Sequence, residues 1–119
     1  MKKSDTRTRG QWAEHCAEKH LRETGLRLLA RNFRCRWGEI DLIMREQDML
    51  VFVEVRYRGA TSFATGIESV DSHKQARLMA TAEHYLQRHP CDADRSCRFD
   101  VVSVSPDSIR WVKNAFSYH

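Results

Sequence analysis

Trp12, Ala13, Cys16, Ala17, His20 and Leu21 recur at intervals of three and four residues, which winds them onto one stripe of a helix. Gly25 follows where a helix commonly ends in a left-handed residue. The pattern predicts a helix from about Arg9 to Thr24, its apolar stripe turned to a core and Glu14 near its first turn on a neighbouring face. Leu26 to Phe33 predicts a strand of imperfect alternation. From Gly38 the period falls to two: Glu39, Asp41, Ile43 and Arg45 take one side, and Ile40, Leu42 and Met44 the other. Glu46, Gln47 and Asp48 interrupt the run, and Met49 to Tyr57 resumes it with β-branched and aromatic residues, so the two segments predict a hairpin. If Gln47 and Asp48 form the loop, antiparallel pairing sets Asp41 opposite Glu54 on the same face. A three-residue loop would displace the match by one position.

Arg58 to Val70 contains Gly59 and Gly66 and no periodicity, which predicts a loop. Asp71 or Ser72 then caps a second helix, with Lys74 and Gln75 in its first turn and Leu78, Met79, Ala82, Tyr85 and Leu86 as its stripe, until Pro90 stops it. A polar link, Cys91 to Ser96, leads to a strand at Phe99 to Val104. A turn at Pro106 and Asp107 leads to a last strand at Ile109 to Val112. The order helix, three strands, helix, two strands predicts an α/β domain in which helices pack on a mixed sheet.

A chain of 119 residues has room for one domain. With 41% hydrophobic and 30% charged residues it has the balance of a soluble globular protein, and no apolar run approaches the roughly 20 residues of a membrane span. Met1 to Gly10 is basic and polar and runs into no apolar signal core, so a cytoplasmic location is expected, with residues 1–8 as a flexible basic arm. Cys16, Cys35, Cys91 and Cys97 form no C-x-x-C pair and are expected as plain thiols in a reducing compartment. Cys16 and His20 share a helix face, but no second pair completes a metal site. The net charge of +4 permits an anionic partner without demanding one. Its distribution says more: Lys2, Lys3, Arg7 and Arg9 form one basic group, Arg31, Arg34 and Arg36 a second, and Arg56, Arg58, Lys74 and Arg77 surround the acidic hairpin.

Within that hairpin, Glu54 and Arg56 project from one face and Asp41 lies across the ladder. Two carboxylates about 5 Å apart repel by about 3 kcal/mol at an effective dielectric near 20, a large part of the roughly 5–15 kcal/mol that holds a small domain together. A divalent cation, Mg2+ or Mn2+, would offset this, because hard ions take oxygen from one or two carboxylates and fill the rest of their shell with water and phosphate. The same ion lowers the pKa of a bound water and stabilises the charge that builds up in phosphodiester attack. Two blander arrangements stay open: Arg56 and its basic neighbours neutralise the acids, or the acids face solvent. Glu39 has the same choice between a second cation and an arginine. Lys74 and Gln75 stand where a helix start can meet a phosphate, and a solvated helix start fits them equally. His15, His73 and His84 show no base-and-nucleophile arrangement. Trp12, Trp37 and Trp111 are expected as core or half-buried packing residues, with Trp37 beside Arg36 also a candidate platform for an unpaired base.

Several segments together are recognisable: GEIDLI from Gly38, FVEVRYR from Phe52, VDSHKQ from Val70, RFDVV from Arg98 and WVKNAF from Trp111. From GQWAEHCA at Gly10 to Phe116 the chain resembles the YraN family of bacterial proteins. That family is similar to the Holliday-junction-resolvase branch of the restriction-endonuclease-like nucleases, whose active site is a D, then E-x-K, motif. The resemblance implies a restriction-endonuclease-like fold, Asp41 and Glu54 as metal ligands, Arg56 in the lysine position, and Glu14 as a further acid of the site. Arginine in that position keeps its charge and grips phosphate with a planar fork, but it stays protonated and cannot pass a proton. Two functions are therefore expected side by side. One is a magnesium-dependent endonuclease cutting phosphodiester bonds in DNA, branched DNA included. The other is a non-catalytic nucleic-acid-binding module that keeps the fold and holds phosphates with Arg56, Arg58, Lys74, Gln75 and the basic arm. Resolvase-like folds commonly act as two-fold pairs, which adds a homodimer to the expectations.

Overall fold

The computed structural model of the chain describes residues 5–59 and 70–116. Its elements are α1 (Asp5–Glu23), β1 (Arg27–Cys35), β2 (Gly38–Glu46), β3 (Met49–Tyr57), α2 (Ser72–Arg88), β4 (Cys97–Ser105) and β5 (Ser108–Phe116), with a short 3-10 turn at Pro90–Asp92 before β4. The five strands form one sheet in chain order. Neighbours run antiparallel except β3 and β4, which are parallel. Parallel neighbours need a long crossover, and the segment that carries α2 supplies it. This is the α/β order read from the sequence, and it is compatible with a restriction-endonuclease-like fold.

The sheet has a core on each face. On one, Ala13, Ala17 and Leu21 of α1 meet Leu42, Met44, Val51, Val53, Val102 and Val104. On the other, Leu78, Ala82 and Tyr85 of α2 meet Ile40, Ile43, Leu50, Phe52, Phe99, Val101 and Phe116. The middle of β3 and most of β4 are therefore buried on both faces, which is why their sequences run apolar without alternating. The alanines of α1 let its backbone lie close to the sheet, and this closeness carries Glu14 to the acidic hairpin. Among the described residues no helix is long and apolar enough to cross a membrane.

Several boundaries differ from the sequence reading. α1 begins at Asp5, so the later half of the expected basic arm is helical; residues 1–4 lie outside the described residues. β1 extends to Cys35 instead of ending at Phe33. β5 runs to Phe116, well past Val112. A register shift between Phe99 and Val101 and a left-handed Asn114, φ 53°, carry β5 onward until Phe116 stacks on Phe99 at 4.6 Å. Most of the loop expected at Arg58–Val70, residues 60–69, lies outside the described residues.

The bulge on β4 surrounds a wholly buried carboxylate, Asp100. Its oxygens accept from Arg98 Nε at 3.0 Å, Trp111 Nε1 at 2.9 Å and the Asn114 amide at 2.9 Å. Arg98 also reaches Glu46 at 2.7 Å. Buried charge is tolerated only when paired and hydrogen-bonded in this way.

Candidate acidic site where the sheet splits

β2 and β3 pair from Glu46 and Met49 to Leu42 and Val53, and there the ladder stops. A loop of Gln47 and Asp48 sets this register, and its next step would match Asp41 with Glu54. Instead β2 continues to Gly38 alongside β1, and β3 continues to Tyr57 alongside β4. At the fork, Asp41 Oδ2 accepts the Val55 amide proton at 2.8 Å. The carboxylate thus replaces a strand carbonyl and satisfies a donor the missing ladder would leave open.

The expected strict alternation of β2 fails at the same point. Leu42 and Met44 belong to the α1 face, but Ile40 joins Ile43 on the α2 face. Across the β1–β2 ladder, Asn32 lies between the partners of Leu42 and Ile40, and its φ of 49° is left-handed. A kink there switches the face that the hairpin tip presents. Asn32 also ties the acids together, since its amide nitrogen donates to Glu14 Oε1 and to Glu39 Oε2, both at 3.1 Å. Sequence reasoning missed this residue; the available signal was an asparagine, which tolerates left-handed backbone, inside a strand of poor alternation.

Four carboxylates therefore gather about the fork. Burial pushes the pKa of Asp41 up to about 8 against the pull of the Val55 amide, and the negative charges of Glu54, Glu14 and Glu39 add to the rise in that order. Glu39 meets Arg34 at 3.4 Å. Glu54, with only 11% of its side chain exposed, receives Lys74 Nζ at 2.7 Å. Lys74 arrives there because Asp71 caps α2, accepting the Lys74 amide proton at 2.8 Å, and so fixes where the first turn points. Gln75, next in that turn, spends its carboxamide on the Val70 carbonyl at 2.6 Å. Arg56 lies half-buried two residues beyond Glu54, level with Ser103 of β4. Arg58 continues from β3, its amide bonded to the Val104 carbonyl at 2.8 Å. Of the positions singled out from sequence, Asp41, Glu54, Glu14 and Lys74 converge on the fork.

Among the described residues no three histidine, cysteine, aspartate or glutamate side chains stand close enough to share an ion. Asp41 and Glu54 offer a smaller donor set, of the kind magnesium uses when water and phosphate complete its octahedron. Burial first, and then the charges of Glu54, Glu14 and Glu39, lift the Asp41 pKa, and an ion bound there would offset both, so the residues fit one.

Two of the three tryptophans correct the packing expectation, and Trp111 meets it. Trp12 is 41% and Trp37 48% exposed, because Ala13, Ala17 and Leu21 fill the α1 contact and the β1–β2 turn lies outside both cores. Trp12 sets its edge against Tyr57 at 6.1 Å. Trp111 is half-buried and bonded to Asp100.

A small α/β domain with one mixed sheet between two helices, and a cluster of acids where two strands part, is the class that fold and site define. Residues 13–104 match the uncharacterised protein family UPF0102. A UPF0102 protein of Nitrosococcus oceani is 48% identical across 98% of this chain and 97% of its own length. Relatives from Alcanivorax borkumensis and Pseudomonas entomophila are 49% and 50% identical across 90% of this chain, covering 90% and 91% of their own lengths. The chain belongs to the UPF0102 family.

Proposed function

We propose that this protein is a divalent-metal-dependent nuclease that hydrolyses phosphodiester bonds in DNA, acting at branched or otherwise distorted structures. The observation that carries the reading is Asp41, a half-buried carboxylate held at the fork of the sheet by the Val55 amide, whose pKa burial pushes up to about 8 with the charges of Glu54, Glu14 and Glu39 adding to the rise. Lys74 meets Glu54 and Arg34 meets Glu39, and a divalent cation between Asp41 and Glu54 would offset the repulsion that remains. Asp41 and Glu54 would hold magnesium or manganese, and the bound ion supplies a water of lowered pKa and positive charge for the phosphate.

The chain's own residues prepare the rest. Val55 N–H and Asn32 fix the directions of Asp41, Glu14 and Glu39, so the acids are preorganised. Lys74 and Arg56 lie on the Glu54 side, where they meet the non-bridging oxygens of an incoming phosphate. Arg56 binds that charge but does not relay a proton. The likeness to the YraN family, and through it to the Holliday-junction-resolvase branch of restriction-endonuclease-like nucleases, supports the same assignment.

A non-catalytic binding module is favoured by one observation, the arginine in the motif-lysine position. Incubating the protein with branched, duplex and single-stranded DNA in magnesium or manganese separates the two. Cutting that disappears in both Asp41→Ala and Glu54→Ala supports the nuclease. Salt-sensitive binding that neither variant diminishes, without any cutting, supports the module. Activity gained in Arg56→Lys would place the limitation at proton transfer.

A further inference from the structure

Trp37 is the most exposed large apolar side chain among the described residues, yet the turn that carries it is firmly held. Its amide donates to Cys35 Sγ at 3.4 Å. Gly38, at φ 154°, lies so close to α2 that an added Cβ would stand 3.2 Å from Thr81 Oγ1. Two residues before the turn's first cysteine, Phe33 sets its ring edge-on to Tyr85 at 5.3 Å. The backbone on both sides of Trp37 is anchored while the indole projects into solvent. Exposing a tryptophan forfeits much of its large apolar burial, and a stiff turn that does so resembles a platform more than a loose end.

Charge identifies what the platform takes. Arg36 lays its guanidinium over the indole with 4.8 Å to the ring centroid, whereas Arg31 and Arg34 of the same hairpin engage Glu18 and Glu39. The ring is thus joined to a cation, the combination that receives a flat base attached to a phosphate chain. Trp37 stands four residues from Asp41 along β2, about 13 Å at roughly 3.3 Å per residue, within a few nucleotides of anything bound at the acids. Paired bases inside an intact duplex have both faces covered by their neighbours and offer no surface to an indole.

We propose that Trp37, backed by Arg36, stacks on an unpaired nucleobase beside the phosphodiester addressed by the acidic site, so that the substrate class is DNA with an unpaired or single-stranded stretch next to that bond. This rests on the nucleic-acid reading above.

The test is fluorescence anisotropy at low salt in EDTA, where no metal-dependent cutting intervenes. The probes are a forked DNA, a single strand and a blunt duplex, against wild type, Trp37→Ala and Trp37→Phe. Thermal midpoints of the variants confirm that the exposed position leaves folding unchanged. One base stack corresponds to about 5- to 150-fold in affinity. Trp37→Ala should lose that factor on the forked and single-stranded probes but keep wild-type affinity for the duplex, and Trp37→Phe should recover most of it. 2-Aminopurine at the unpaired position should be quenched by the wild type and not by Trp37→Ala. An equal loss on all three probes, or no loss on any, overturns the stacking proposal and leaves the nuclease reading in place. Absence of binding to every probe by the wild type, in EDTA and again with calcium in its place, overturns both.

Discussion

Without divalent metal, the protein should lose stability as pH rises from about 5 to 8, and Asp41→Asn should abolish the decline. Burial and the neighbouring Glu54, Glu14 and Glu39 move the Asp41 pKa from 3.8 to about 8. Between those values the folded protein keeps a proton that the unfolded chain has released. Stability is therefore greatest below the unfolded value, falls with rising pH, and levels off once the folded carboxyl ionises. At about 1.4 kcal/mol for each tenfold in proton affinity, full ionisation costs the metal-free fold on the order of 5 kcal/mol. Starting at pH 5 separates this slope from that of Glu18, whose carboxyl the Arg31 guanidinium holds below its usual range and whose opposite contribution falls in more acid solution. Asparagine retains an oxygen that can accept the Val55 amide, so the substitution removes charge and keeps the bond. Thermal unfolding in EDTA should show a wild-type midpoint lower at pH 8 than at pH 5 by on the order of 10 °C, with Asp41→Asn nearly flat. Magnesium at pH 8 should restore the wild type and leave the variant unmoved. A wild-type midpoint that holds steady across this range, or a variant with the same slope, would refute the assignment of Asp41 as the strained acid.

Lys74→Met should tighten manganese binding, because Glu54 loses its competing cation, and should lower the slope of DNA affinity against salt by about one counterion; calorimetry and salt-titrated anisotropy read the two effects, and no change in either removes Lys74 from the site. Asp71→Ala should cost about 1 kcal/mol in urea unfolding through loss of the α2 cap, and an unchanged midpoint would mean that Lys74 is aimed by other contacts. Asp100→Asn should cost about 3–5 kcal/mol, as expected when one partner of a buried ion pair is removed; a loss below about 1 kcal/mol would show that Glu46 alone compensates Arg98.

The parts of this structure that short-range chemistry decides could be read from the sequence. The two-residue turn at Gln47 and Asp48 fixes the β2–β3 register and so brings Asp41 and Glu54 to the same end of the ladder, though the strands part before the two residues pair. Asp71 before a helical stripe identifies the cap of α2. What stayed hidden depends on distant partners. β3 and β4 are apolar on both sides, so periodicity could not say which face Glu54 shares with a helix. Its bond to Lys74 needs α2 to dock across a loop of unreadable course. The face switch at Asp41 comes from Asn32 on another strand, and nothing in the strand pattern of RFDVV tells that Asp100 is wholly buried. Trp12 and Trp37 misled because burial was judged from residue type, whereas the alanines beside Trp12 had already filled the available contact.

The parallel joint between β3 and β4 also governs the order of assembly. Strands β1 to β3 close through tight turns, as do β4 and β5, and hairpins form in roughly microseconds. Bringing the two groups together requires closing the chain over residues 58–96, a long-range step that sets the pace of folding. During synthesis the half bearing both Asp41 and Glu54 emerges first, with the apolar border of β3 uncovered until β4 arrives, and such a border recruits stray strands. Val102→Ala should therefore slow refolding in stopped-flow traces more than it hastens unfolding; the reverse would place the docking of β4 after the rate-limiting step.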